Sequence, residues 1–180
     1  MVSKIEIGEP VRGDTAALRR LVRGFIDFHR GIASEVESSE SEVSQSLGAW
    51  RRSRHRSFFV IRSAGRLVGF MVLKKDPTDP VYWGEELYID PGFRGKGVAR
   101  RSLEFAEWFV KSKGGDALYL WVAASNRNAL RVFRALGYQT LNMVELRKDL
   151  RSSRARGARW TGVSMWGLRL RVRRPTATNA

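Results

Sequence analysis

The chain has 180 residues, 43% of them apolar, which suits one domain with a real core, and its formal net charge is +15. It has no cysteine and 2 histidines, His29 and His55, which excludes disulfides, thiolate metal sites and a cysteine nucleophile and leaves no basis for a histidine-rich metal centre. No apolar run reaches the ~18 residues of a membrane span, and Met1 to Glu6 lack a signal peptide's apolar core, so a cytoplasmic protein with no membrane partner is expected.

Ile5 to Val11 reads as a first strand. Asp14 or Thr15 can cap a helix to about His29, with Leu18, Leu21, Val22, Phe25 and Ile26 on one face. A Ser/Glu-rich loop from Gly31 to Glu40 precedes a second helix over Ser41 to Arg51. Ser57 to Ile61 and Leu67 to Leu73 are apolar strands joined by the hairpin turn Ser63-Ala64-Gly65-Arg66. After the loop Asp76 to Pro80, a fourth strand runs from Val81 to Ile89. A third helix is expected over Val98 to Lys113, a fifth strand over Asp116 to Ala123 and a short helix over Leu130 to Leu136. Leu141 to Leu150 alternates like a closing strand. Beyond it lie Arg151, Arg154, Arg156, Arg159, Arg169, Arg171, Arg173 and Arg174 with no acid among them. The expected organisation is a domain over 1–150 and an Arg-rich extension over 151–180, with Arg151 to Arg159 as a basic linker and Leu168, Leu170 and Val172 as a possible edge strand. Trp83, Trp108 and Trp121 are expected in the core, and the two histidines at packing or surface positions.

The stretch Arg94-Gly95-Lys96-Gly97-Val98-Ala99 carries the most information. It leaves a strand and opens a helix, where the first N–H groups have no intrahelical partner and the dipole is positive. Glycines let the backbone approach an anion, and Arg94 and Lys96 add charge, so the context suits a pyrophosphate. Downstream come Asn126, Ala129, Phe133, Gly137 and Tyr138.

This order resembles the GNAT superfamily of acetyl-CoA-dependent N-acetyltransferases. Arg94, Gly97 and Ala99 match the family's Gln/Arg-x-x-Gly-x-Gly/Ala pattern. Asn126, Ala129, Phe133, Gly137 and Tyr138 match its second signature. The resemblance covers about Phe58 to Leu150. It implies an α/β (α+β) fold: a mixed, mostly antiparallel sheet of six to seven strands, with parallel fourth and fifth strands splayed apart, and about four helices. It also implies acetyl-CoA as cosubstrate, no metal, and an amine acceptor. The pantetheine would pair with Leu87, Tyr88 and Ile89, the pyrophosphate would sit on Gly95, Lys96, Gly97, Val98 and Ala99 with Arg94, and Asn126 and Phe133 would lie near the pantetheine and thiol.

A protonated amine cannot attack a thioester, so a base must take its proton. Glu85 and Glu86 are the candidates. Simple alternation puts residues 83, 85, 87 and 89 on one face and 84, 86 and 88 on the other. Glu85 is favoured, because it falls where related amine acetyltransferases carry their proposed base. A strand-four amide near Leu87 or Tyr88 would hold the oxyanion. Phe133 departs from the tyrosine that many family members use to protonate the leaving thiolate.

The loop acids Glu35, Glu37, Glu40 and Glu42 could attract a cationic acceptor, most simply a protein lysine or N-terminus; a small amine such as a polyamine or antibiotic is the alternative. The run Arg51 to Arg56 and the Arg-rich tail with Trp160 and Trp166 also suit nucleic acid. A non-catalytic CoA-binding module acting there is a second class of function. Family members often dimerise, so a homodimer is possible.

Overall fold

A computed structural model describes residues 4–33, 38–146, 148 and 160–173. Its elements are β1 (Ile5–Gly8), α1 (Thr15–Ala33), α2 (Glu40–Arg52), β2 (Arg56–Ser63), β3 (Arg66–Lys75), β4 (Val81–Ile89), α3 (Val98–Ser112), β5 (Ala117–Leu120), α4 (Arg127–Ala135), β6 (Trp160–Met165) and β7 (Leu168–Arg173). The chain divides into two compact units, residues 1–26 with 38–121, and residues 27–37 with 122–180.

The first unit holds a five-stranded sheet in the order β1-β2-β3-β4-β5. Its strands pair antiparallel except for β4 and β5, which are parallel. Parallel neighbours need a crossover, and α3 supplies it. β2 and β3 are joined through Ala64 and Gly65, both at positive φ (49° and 76°), the backbone that a tight hairpin turn requires. Ser39 caps α2 by accepting from the Glu42 N–H at 3.3 Å, while the Glu42 carboxylate accepts from the Ser39 N–H at 2.7 Å.

Alternating side-chain direction divides β2 and β3, which are buried on both faces, between two cores. On one face, Phe70 lies within 5.4–6.0 Å of the rings of Phe25, Trp50, Phe58 and Tyr88, so α1 and α2 cover that side. On the other, Phe59, Ile61, Met71 and Leu73 pack with Tyr82 and Ile89 against Val98, Ala106 and Val110 of α3. Edge-to-face contacts of Phe59 with Phe105 and Phe109, both at 5.0 Å, extend that cluster.

In the second unit the Asn126 Oδ1 caps α4, accepting from the Ala129 N–H at 3.1 Å. β6 and β7 form a hairpin turned at Trp166 and Gly167 (φ 51° and 75°). Its register puts Trp160, Gly162, Ser164, Arg169 and Arg171 on one face, with the Arg171 guanidinium 5.5 Å from the centre of the Trp160 ring.

Several expectations are corrected. The sheet has five strands rather than six or seven, and the last two strands pair only with each other among the described residues. Residues 141–146 form no strand: Leu141, Met143, Val144 and Leu146 are all exposed, so neither face of the alternation has a core to bury against. Arg147, Asp149, Leu150 and the linker Arg151 to Arg159 lie outside the described residues. β1 ends at Gly8 rather than Val11. Trp108 and Trp121 are 61% and 62% exposed and Trp83 is half-buried, so none of the three is a core residue. Among the described residues no helix is long and apolar enough to cross a membrane.

Phe70 is fully buried and joins α1 and α2 to the sheet, whereas Trp108 stands on the surface. Phe70→Ala is expected to cost about 3–5 kcal/mol of unfolding free energy, seen as a lower urea midpoint, and Trp108→Ala less than about 1 kcal/mol.

Candidate active site

The turn between β4 and α3 is built by local hydrogen bonds. Asp90 Oδ1 accepts from the Gly92 N–H at 3.1 Å, and its Oδ2 pairs with Arg20 at 2.8 Å, which holds the Asp90 carboxyl below its usual range. Arg94 Nε donates to the Ile89 carbonyl at 3.0 Å, with its guanidinium 5.6 Å from the Tyr88 ring centre. Lys96 Nζ donates to the Gly92 carbonyl at 2.9 Å. The two side chains thus brace the loop from within.

What the loop turns outward is backbone. Gly95 and Gly97 sit at φ 72° and 76°, and Gly97 is the N-cap of α3. A Cβ at either would meet nothing within 4 Å, so these glycines serve a left-handed turn in open space. The first intrahelical bond runs from the Arg101 N–H to the Gly97 carbonyl, at 3.1 Å. The N–H groups of Val98, Ala99 and Arg100 therefore have no helical acceptor, and they lie at the positive end of a 15-residue helix. An anionic diphosphate fits this donor set.

β4 supplies the second part. Its pairing with β5 stops at Gly84 opposite Leu120, while β4 runs on to Ile89. A Cβ on Gly84 would come within 2.5 Å of Leu120 Cδ2, so a larger residue there would have to displace that side chain. On the β3 side the register jumps: Val72 faces Glu86 and Leu73 faces Gly84, so Glu85 is an extra residue, a β-bulge.

The bulge overturns simple alternation. Residues directly opposite in a ladder share a face. Trp83 lies opposite Lys74, which lies opposite Arg56, and Glu86 lies opposite Val72. Arg56 in turn binds Glu85 with two bonds, Nε to Oε2 at 2.5 Å and Nη2 to Oε1 at 2.8 Å. Trp83, Glu85, Glu86 and Tyr88 are thus gathered on the side that faces α1 and α2, while Tyr82, Leu87 and Ile89 pack toward α3.

The two carboxylates are not equivalent. Glu85 is committed to a bidentate arginine pair. Among the described residues no donor reaches the Glu86 carboxyl. Burial pushes it up to about 8, the neighbouring Glu85 charge adds to the rise, and Arg56 opposes it. Glu86 is therefore a neutral acid near neutral pH and a carboxylate in mild alkali.

The remaining expected residues belong to the second unit. Asn126 spends its carbonyl oxygen on the α4 cap, leaving its amide N–H groups as donors. Phe133 is half-buried, with its ring centre 6.1 Å from that of Tyr138. Of the four loop acids, Glu40 is bound by Arg19 and Arg23, and Glu42 closes the α2 cap. Glu35 and Glu37 lie outside the described residues. Sequence reasoning missed Arg56 and the bulge. A lone glycine inside a strand, Gly84, was the available signal for the latter.

A strand that outruns its parallel neighbour, a glycine turn and a bare helix N-terminus in succession agree with the family comparison. Residues 22–138 match the Acetyltransferase (GNAT) family. The chain belongs to this family. It is 31% identical over 130 residues to a mycothiol acetyltransferase of Thermomonospora curvata, covering 72% of this chain and 42% of that protein. It is 28% identical over 134 residues to a streptothricin acetyltransferase of Streptomyces lavendulae, covering 71% of this chain and 65% of that protein. The chain thus spans less than two thirds of the length of either relative. Among solved structures, aminoglycoside N-acetyltransferase AAC(6')-Iy in complex with CoA matches with a TM-score of 0.65 at 17% identity, over 83% of this chain and 97% of that one, a likeness of fold.

The raised Glu86 has a consequence for stability. Between its ordinary value of 4.5 and about 8, the folded state holds a proton that the unfolded state has lost, so stability falls as pH rises through that window. Glu86→Gln removes the effect. The variant should match the parent in urea unfolding at pH 4 and exceed it by roughly 2–4 kcal/mol at pH 9.

Proposed function

We propose that this chain transfers an acetyl group from acetyl-CoA directly to a primary amine, with Glu86 as the general base. The observation that carries this reading is the half-buried Glu86 carboxyl on β4, which no donor reaches among the described residues, next to the point where β4 and β5 stop pairing. Its ionisation near pH 8 suits proton transfer from an amine, since a base works best when its pKa lies near the working pH. Glu85, favoured by position in the sequence, is instead assigned to hold Arg56 and to raise its neighbour's pKa.

When bound, acetyl-CoA supplies an acetyl carbonyl activated as a thioester. The amides of Lys96 to Ala99 receive its diphosphate, and the β4 backbone from Leu87 to Ile89 receives its pantetheine. The acceptor nitrogen attacks the carbonyl, so a C–N bond forms and the C–S bond breaks. The nitrogen's proton passes to Glu86. The Leu87 amide stabilises the oxygen that becomes negative on the way. Phe133 has no proton to give. The sulfur leaves as a thiolate, a tolerable leaving group because thiols ionise near pH 8.5, and takes its proton from water.

For the acceptor, the relatives named above include enzymes of small molecules, mycothiol and streptothricin. The acidic-loop argument for a protein amine loses weight, because Glu40 is neutralised by two arginines and Glu42 closes a helix cap. We therefore assign a small amine as acceptor.

The test is thiol release from acetyl-CoA over pH 6–10 with a panel of small amines. The parent should show kcat/KM rising with a midpoint near 8. Glu86→Gln should lose about 10²–10⁴-fold and the rise with it. Glu85→Gln should retain more activity, with the midpoint shifted down because a repelling charge is gone. Equal losses in both variants with an unshifted midpoint would remove Glu86 from this role.

A further inference from the structure

One cluster on the first unit has no part in the chemistry above. Trp83 of β4 and Tyr119 of β5 face each other in the parallel ladder, with ring centres 4.7 Å apart. The ring centre of Trp121, just past the end of β5, also lies 4.9 Å from that of Trp83. Packing does not require this arrangement: Phe59, Phe70 and Trp50 fill the cores and are buried, whereas Trp121 is 62% exposed. An indole left in water is apolar area that a ligand can cover.

The position matters as much as the exposure. Trp83 is opposite Lys74 and Glu86 is opposite Val72, two residues along the same strand and on the same face. That spacing is about 7 Å, which a ring and a short alkyl arm can span. Between them stands the Arg56–Glu85 pair, whose charges cancel. Lys74 lies opposite Trp83 on the same face, so a cation borders the rings and disfavours an acceptor that carries further positive charges. A chain of net charge +15 also repels polycations, whereas a single ammonium pays little for the approach and is drawn to an aromatic face.

We propose that Trp83, Tyr119 and Trp121 form an acceptor platform that selects primary monoamines carried on an aromatic ring. The ring packs against the indoles, and the amine projects along the sheet face toward Glu86. The proposal rests on the acyl-transfer reading above, and the platform is built wholly from residues of the first unit.

Two readouts keep the two ideas separate. The first is thiol release with phenethylamine, butylamine and spermidine, in the parent protein, Trp121→Ala and Trp83→Phe, with Trp108→Ala as the control for loss of an exposed indole elsewhere. The parent should prefer phenethylamine to both aliphatic amines. Trp121→Ala should reduce the preference over butylamine by about tenfold, mainly through KM, while Trp83→Phe keeps most of it and Trp108→Ala all of it. A parent that uses butylamine as well as phenethylamine, or a preference unchanged in Trp121→Ala, overturns the platform. The second readout is phenethylamine binding by calorimetry without acetyl-CoA. If no amine releases thiol, the acyl-transfer reading fails, and binding alone decides. Binding in the parent that weakens about tenfold in Trp121→Ala supports the platform, and no binding in the parent overturns it.

Discussion

Arg56 and Glu85 hold each other across the sheet, from the first residue of β2 to the bulged residue of β4 that the β3 ladder skips. A bulged strand is twisted and locally unpaired, and a bidentate pair is a firm way to fix where its extra side chain goes. Because Glu85 is turned toward Arg56, Glu86 keeps its ladder position opposite Val72 and enters the side covered by α1 and α2. Burial without a donor makes it a weak acid. Arg56 thus neutralises one carboxylate and leaves the other to titrate near pH 8.

The same stretch of β4 explains where the rest of the site lies. Past Gly84 the strand leaves β5 behind, which opens backbone toward a ligand, and it then runs into a turn braced by Arg94, Lys96 and Asp90. The brace frees the backbone of Gly95 to Ala99 to present donors at the start of α3. In the proposed function, a phosphate-rich ligand and a proton acceptor are served by opposite ends of one short strand segment. Both ends depend on the two apolar cores that clamp β3 and β4 from either side, with Phe70 and Met71 as their adjacent anchors.

The glycine turn before α3 was legible in the sequence because its requirements are local: glycine at positive φ and a helix start, with basic side chains beside it. Helix and strand positions followed for the same reason, since the 3.6-residue period survives in α1 and α3 and β2 and β3 are short apolar runs buried on both faces. The faces of β4 were not legible. One inserted residue exchanges inside for outside downstream of it, and the sequence marks that only by Gly84. The tryptophans misled because apolarity was read as burial, although a large ring beside a site can face water. The alternation from Leu141 onward misled in turn, since a period of 2 makes a strand only where a face can be buried, and Leu141, Met143, Val144 and Leu146 are all exposed.

The central claim is that Glu86, and not Glu85, carries the proton. It is tested most directly by carbon NMR of side-chain carboxyls in protein labelled at glutamate, titrated from pH 4 to pH 10, with Glu86→Gln and Glu85→Gln used for assignment. The signal lost in Glu86→Gln should titrate with a midpoint near 8, and that midpoint should fall in Glu85→Gln. A Glu86 midpoint in the ordinary carboxylate range would contradict the account, whatever the activity of the protein.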